Sequence, residues 1–308
     1  MSMLQKTLTR LLLEPIACEE QIILIESMSG FQYDGEALAD IATFLLSHAR
    51  CLTHTPSNAI DLVGTGGDGL NTLNFSTLAA IIAARAGVVV AKQGNRSLTS
   101  KCGSFDLLQR LGIEIPETPE RAEKILAEQH RVFLFAPFFH PILARVMEAR
   151  KRLGQQKKRT IFNVLGPLLN PARVRRGLFG VYQPQLIKPF AEALQIGGLE
   201  YGYVVHGEGM DEVTLTGVTH YAKLTPGKIE YGQFAPEDFG LKRCELNDVV
   251  GGDIDHNVVE ANAILSGKTQ GSKRDMVLFN AALALHIAGE FLQPIDRCLT
   301  LVGQHYST

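Results

Sequence analysis

The chain lacks paired cysteines. Its five, Cys18, Cys51, Cys102, Cys244 and Cys298, are scattered and odd in number, with no Cys-x-x-Cys pair among them. That excludes a disulfide framework or a thiolate zinc site and suits a reducing cytoplasm. An excess of one charge is also missing. Thirty Lys and Arg stand against 32 Asp and Glu, for a net charge of −2. A globally basic nucleic-acid binder is excluded, although a local patch is not. No apolar run is long enough to span a bilayer. The best stretch, Leu78 to Ala91, is interrupted by Arg85 and Gly87 and falls short of the roughly 20 residues needed. Leu11-Leu12-Leu13 is followed by Glu14 and Pro15, without the small-residue cleavage pattern of a secretory signal. Internal repeats and low-complexity tracts are absent too. What is present is 45% apolar and 20% charged residues over 308 positions. The expectation is a soluble, cytoplasmic chain with a sizeable core, organised as one large domain or two of ordinary size.

Residues 1 to about 55 read as helices. Leu4, Leu8, Leu11 and Leu12 share one helical face, Ile22, Ile23 and Ile25 share another with Met28, and Leu38, Ile41, Leu45 and Leu46 a third. The Thr-, Pro- and Ser-containing stretch from His48 to Asn58 reads as a linker. Beyond it the texture changes. Ala59 to Val63 is a strand candidate, a helix is expected from Ser76 to about Ala86, and Val88 to Ala91 is a second strand. Strand, crossover helix and strand form a βαβ unit and imply a parallel sheet buried on both faces. Further strands are expected at Val132–Phe135, Leu178–Val181 and Tyr201–Val205, and a late buried helix at Leu278–Ala288. The fold class is α/β: a small N-terminal helical domain plus a large domain with a mostly parallel central sheet flanked by helices.

Between the first strand and its helix lies Gly64-Thr65-Gly66-Gly67-Asp68-Gly69. The spacing meets G-x-G-x-x-G, but a dinucleotide fold opens its helix directly on that loop and ends its second strand with an acid. Here the helix starts near Ser76 and the second strand runs into Lys92-Gln93. A Walker loop fails as well, because no Gly-Lys-Ser/Thr closes it. A long run of backbone N–H groups remains, ending in Asn74-Phe75-Ser76-Thr77 at a helix N-terminus, which is a phosphate site in kind. Ser76 or Thr77 could merely cap the helix, but four glycines in six residues exceed what a cap requires. After the second strand, Lys92, Arg96 and Lys101 with the hydroxyls of Ser97, Thr99 and Ser100 suit an anion-rich ligand. Both loops leave the C-terminal ends of strands, where open α/β sheets bind ligands.

These segments carry a resemblance. Gly64-Thr65-Gly66-Gly67-Asp68, Asn74-x-Ser76-Thr77, Lys92-x-Gly94-Asn95-Arg96-Ser97 and Gly103-Ser104 are similar to the anthranilate phosphoribosyltransferase family. So are His140-Pro141, Arg150, Phe162-Asn163-x-Leu165-Gly166-Pro167-Leu168-x-Asn170-Pro171, and Val205-His206-Gly207 followed by Asp211-Glu212. The resemblance runs from about residue 59 to 290. It implies the nucleoside phosphorylase/phosphoribosyltransferase fold and transfer of the phosphoribosyl group of phosphoribosyl pyrophosphate to the amine of anthranilate, in tryptophan biosynthesis. It divides the chain into a small helical domain, residues 1–57, joined by helices from about 141–175, and a catalytic domain, residues 58–308. Carried over, the donor site comprises Gly64, Gly67, Asp68, Thr72, Asn74, Phe75, Ser76, Thr77, Lys92, Gln93, Gly94, Asn95, Arg96, Ser97, Leu98, Thr99, Ser100 and Ser104. The anthranilate contacts are Gly64, Asn95, His140 and Arg150. Asp211 and Glu212 resemble the Mg²⁺ ligands, with Ser76 beside a second ion. No general base is assigned, and a homodimer is implied.

The chain departs from the family pattern in several places. Gln93 stands where His is usual, Cys102 where Ser is usual and Phe105 where Ala is typical. Gln155-Gln156-Lys157 looks inserted, the helical region looks short by about a helix and the C-terminus clipped. A different acceptor on the same fold is therefore an alternative. A nucleoside phosphorylase is disfavoured by the Asn95 and Arg150 pattern. A further alternative is a non-catalytic relative binding nucleic acid through residues 145–176, which hold ten Lys or Arg and one acid, Glu148. His206 beside the two acids raises zinc, but no second His stands at ligand spacing.

Overall fold

The computed structural model describes residues 3–29, 34–96 and 102–306. Three helices come first: α1 (Met3–Leu13), α2 (Cys18–Ser29) and α3 (Gly35–Ser47). The α3 N-terminus is capped by Asp34, whose carboxylate accepts the Ala37 N–H at 2.7 Å. The apolar periodicity holds in α1, where Leu8, Leu11 and Leu12 are buried, and in α3, where Leu38, Ile41 and Leu45 are buried. In α2 only part of the expected face turns inward. Ile25 and Met28 are buried, while Ile23 is 64% exposed. Adjacent positions on a helix lie about 100° apart, so Ile22 and Ile23 cannot both share the Ile25 face.

A single seven-stranded sheet follows, in the order β3-β2-β1-β4-β5-β6-β7. Its strands are β1 (Ile60–Gly64), β2 (Val90–Gly94), β3 (Arg131–Phe135), β4 (Arg176–Gly180), β5 (Tyr201–Gly207), β6 (Thr219–Thr225) and β7 (Lys228–Phe234). The first five pair in parallel and the last two antiparallel. Helix α4 (Phe75–Arg85) makes the crossover from β1 to β2, and α5 (Ser104–Arg110) with α6 (Pro119–Gln129) the one from β2 to β3. A short α7 (Ala136–Phe139) and then α8 (Met147–Gln155) precede β4, and α9 (Ile187–Ile196) links β4 to β5. The chain ends in α10 (Ile254–Leu265), α11 (Ser272–Ala288) and α12 (Ile295–Tyr306).

Two cores lie on opposite faces of this sheet. One packs α4 and α11 on Ile60, Leu62, Leu178, Tyr203 and Val205; the other packs α1, α3, α8 and α9 on Val63, Phe179 and Val204. Odd and even positions of the same strands serve different faces, as the period of two requires. Helix α11 runs through the first core with every side chain from Met276 to Ala284 buried, and His286 and Ile287 beyond, which its Ala- and Leu-rich sequence suits.

The expected strands are found, with two differences. β2 begins and ends later than Val88–Ala91, so Lys92 and Gln93 belong to the strand and are buried. The hairpin β6–β7, turning at Pro226-Gly227, was not expected. Gly227 has φ +75°, the left-handed geometry a tight turn uses.

Candidate active site

The parallel strands β1, β2, β4 and β5 each end on a glycine: Gly64, Gly94, Gly180 and Gly207. Their ends form one rim, and the loop after β5 folds back onto it. A Cβ on Gly64 would overlap the Asp211 carboxylate, and one on Gly180 would overlap the Asp211 backbone. At Gly207 the Cβ would stand 2.6 Å from the Glu212 carbonyl oxygen. None of the three has a left-handed φ, so close approach is what requires them to be glycine.

Asp211 and Glu212 are thereby pressed into the mouth of the sheet. The Asp211 carboxylate accepts the Gly66 N–H at 2.6 Å. Glu212 accepts the Ser76 N–H at 3.3 Å, placing a carboxylate on the positive end of α4. The helix takes no side-chain cap from Asn74, and neither Ser76 nor Thr77 fills that role. A small cavity borders Ser76, Asp211, Glu212 and Asn280. Burial raises the pKa of both acids, and repulsion raises it further, from Asp68 on Asp211 and from Asp211 on Glu212.

Opposite charge comes from Lys92. Its ammonium donates to the Leu62 carbonyl and, at 3.2 Å, to Ser76 Oγ. Burial lowers its pKa, while Asp61, Glu212 and Asp211 pull it back up. Asp61 is buried, with its pKa raised to about 6 by desolvation. It accepts from Asn170 Nδ2 at 2.6 Å and from the Gln93 N–H at 3.3 Å. One lysine thus faces the buried Asp61 and the half-buried Asp211 and Glu212, leaving the pocket short of positive charge.

A second group of polar side chains rests on residues 166–170. Gln93 Nε2 donates to the Gly166 carbonyl at 3.1 Å, and His140 Nε2–H donates to the Leu169 carbonyl at 2.7 Å. Among the described residues, Gln93 Oε1 and His140 Nδ1 are buried acceptors without a partner, a costly state that a ligand's donors relieve. The Arg150 guanidinium lies 5.1 Å from the Phe162 ring centroid.

The other residues of the expected donor site are distributed between the loop after β1, the start of α4 and the segment after β2. Gly67, Asp68 and Thr72 lie on the glycine loop; Phe75 and Thr77 are buried at the start of α4. Asn74 Nδ2 donates to the Cys102 carbonyl at 3.3 Å, and Ser104 Oγ donates to the Asn95 carbonyl at 3.0 Å. Gly94 lies against Ser104 and Phe105, and Arg96 pairs with Asp106 at 3.5 Å. Ser97, Leu98, Thr99 and Ser100 lie outside the described residues.

Several residues escaped the sequence reading. Asn280 on α11 donates to the Val213 carbonyl at 2.9 Å and accepts the Val213 N–H at 3.3 Å, pinning the loop that carries the two acids. Its signal was an amide inside an apolar helical run. Asp61 gave a similar signal, an acid inside an apolar strand. His206 is structural: Nδ1–H donates to the Val181 carbonyl and Nε2 accepts the Gly209 N–H, so both ring nitrogens are engaged. Four of the ten cations in the basic segment pair with acids among the described residues: Arg152 with Glu19 and Glu148, Lys158 with Glu26, Arg175 with Glu200, and Arg176 with Glu290.

A mixed sheet with its ligand rim at the strand C-termini, a glycine loop and a facing acidic pair defines a glycosyl-transfer architecture. Residues 56–299 match the model of the glycosyl transferase family, a/b domain. Anthranilate phosphoribosyltransferase of Persephonella marina is 42% identical over 289 residues, covering 92% of this chain and 84% of that protein. The Agrobacterium fabrum enzyme of the same name is 47% identical over 271 residues, 87% of this chain and 78% of its own length. Among solved structures, anthranilate phosphoribosyltransferase from Thermus thermophilus superposes with a TM-score of 0.90 at 36% identity, covering 99% of this chain and 90% of that one. The Saccharomyces cerevisiae enzyme in complex with PRPP and Mg gives 0.85 at 29% identity, covering 98% and 86%. The chain belongs to the anthranilate phosphoribosyltransferase family.

Proposed function

We propose that the protein transfers the phosphoribosyl group of phosphoribosyl pyrophosphate to the amine of anthranilate, releasing pyrophosphate. The observation that carries this reading is the Asp211–Glu212 pair, locked against the glycine loop and the α4 N-terminus. Gly64, Gly67, Asp68, Thr72, Asn74, Phe75, Ser76 and Thr77, the segment Lys92 to Ser100, and Ser104 form the donor site. The glycine-loop amides and the N-terminus of α4 take phosphate oxygens.

Mg²⁺ fits the residues present. Among the described residues no three His, Cys, Asp or Glu side chains converge as a preformed metal cage. Two carboxylates and the Ser76 hydroxyl are present, and Mg²⁺ is typically held by one or two carboxylates together with substrate phosphates. The mutual repulsion that raises the pKa of Asp211 and Glu212 is also what a cation between them would relieve. Mg²⁺ bound there supplies the positive charge that offsets the departing pyrophosphate.

The protein's own contribution is positioning. Arg150 anchors the anthranilate carboxylate, while Gly64, Asn95 and His140 line the acceptor. A weakly basic aromatic amine attacking a sugar cation needs little base assistance, so no side chain is given that role. Residues 1–57, joined by helices from about 141–175, form the small domain of this reading. Met3, Leu13, Ile23 and Met147, exposed on α1, α2 and α8, support its use as the contact of a cytoplasmic homodimer.

The test follows anthranilate fluorescence after addition of phosphoribosyl pyrophosphate with Mg²⁺, then with chelator. Metal-dependent loss of signal is expected. Tight donor binding without loss would assign a different acceptor, and neither signal would defeat the reading.

A further inference from the structure

Arg159 follows α8 and belongs to neither substrate set above, yet it reaches the glycine loop. Its Nη2 donates to the Gly67 carbonyl at 2.5 Å, and its guanidinium lies 4.1 Å from the centroid of the Tyr182 ring. The Tyr182 N–H in turn donates to Thr65 Oγ1 at 3.2 Å, and the Thr65 N–H to the Gly180 carbonyl at 3.0 Å. The loop is therefore held on one side at Thr65 and Gly67. On the other, Gly66 is tied to Asp211.

Such fastening matters here because Gly66, Gly67 and Gly69 all adopt positive φ. A glycine-rich stretch has many conformations to lose when it orders around a ligand. Holding it before the ligand arrives reduces that cost. No carboxylate among the described residues pairs with Arg159, unlike Arg152 and Lys158 in the same segment. Its charge is free to act at the loop.

We propose that Arg159 is a positioning residue for the phosphoribosyl donor, clamping Gly67 between the α8 segment and Tyr182. The proposal rests on the reading above. It deepens that reading by coupling two parts: the segment that carries Arg150 also fixes the loop that receives the donor. Arginine suits the task, since a planar guanidinium stacks on a ring while its edge donates an N–H. Lysine, a point charge on a flexible stem, does so poorly.

The experiment measures donor binding by calorimetry with Mg²⁺ present, and both Michaelis constants by the fluorescence assay. Arg159→Ala should weaken donor affinity and raise the donor KM by about tenfold, equivalent to about 1.4 kcal/mol, with anthranilate KM and thermal midpoint little changed. Arg150→Ala should show the opposite pattern, raising the anthranilate KM alone. Tyr182→Ala should reproduce the Arg159→Ala effect, and the double variant should be no worse than either. Arg159→Lys should recover only part of the affinity. Wild-type donor affinity in Arg159→Ala would overturn the clamp, as would a rise confined to the anthranilate KM. Should Arg159→Ala fail to fold, unchanged donor binding in both Arg159→Lys and Tyr182→Ala overturns it equally. If the wild-type chain binds donor but does not consume anthranilate, the acceptor assignment fails, while the donor-binding comparison still tests the clamp.

Discussion

Gly64 and Gly180 flank the same aspartate but constrain different atoms, which separates their effects when either is changed. At Gly64 an added methyl meets the Asp211 carboxylate, a group that can rotate away at the expense of its bond to the Gly66 N–H. At Gly180 the methyl meets the Asp211 backbone, which has no rotamer to change. Gly64→Ala should therefore fold with a nearly unchanged thermal midpoint and lose about a hundredfold in Mg²⁺-dependent turnover, the scale expected when a reacting group is misplaced by about an ångström. Gly180→Ala should be destabilised by about 1–3 kcal/mol in urea unfolding, as overpacking generally is. Equal stability loss in both variants would mean that Asp211 is held by its backbone alone.

At the scale of elements, the loop that carries Asp211 and Glu212 depends on a helix distant in sequence. Asn280 on α11 satisfies both the N–H and the carbonyl of Val213, one residue beyond Glu212. Asn280→Leu leaves two buried backbone groups unpaired and should cost about 2–6 kcal/mol, at about 1–3 kcal/mol for each group. Urea unfolding measures the cost, and a loss under about 0.5 kcal/mol would show that the loop repairs itself. The same elements mark what could be read beforehand. The βαβ core, the glycine loop and the late apolar helix were legible because periodicity and turn chemistry agreed there. β2 was placed too early because its last residues, Lys92 and Gln93, are polar side chains buried at the rim, and pattern reading ends a strand where polarity begins. The β6–β7 hairpin alternates apolar and polar residues on either side of Pro226-Gly227, Ala222-Lys223-Leu224 before it and Ile229-Glu230-Tyr231 after it, a signal that was present but overlooked. Asp61 and Asn280 showed as polar residues inside apolar runs, but their partners, like those of Asn170, come mainly from other elements, so the local pattern did not assign their roles.

Across the whole molecule, buried titratable groups pull stability in opposite directions with pH. His140 and His286 are held neutral, their pKa values lowered chiefly by burial. In the unfolded chain each protonates below about 6.5, so the unfolded state binds more protons there. Their contribution is complete above that pH and is lost as pH falls toward the folded values. Asp61 acts with the opposite sign. Its folded pKa is raised from 3.8 to about 6, so its contribution is complete below 3.8 and is lost as pH rises through about 6. The histidines can be isolated by difference, because the acids are common to the wild type and a histidine variant. For His140, with Nε2–H committed to Leu169 and Nδ1 unpartnered, no charged neighbour opposes the burial. Urea-unfolding free energies of wild type minus His140→Asn, taken on the acid side of about pH 6.5, should rise with pH and then level off above it. The slope, rather than the absolute stability lost with the ring, is the reporter. A difference that stays flat would mean that His140 takes up its proton in the folded state as readily as in the unfolded chain. Burial of the His140 ring would then not be excluding charge.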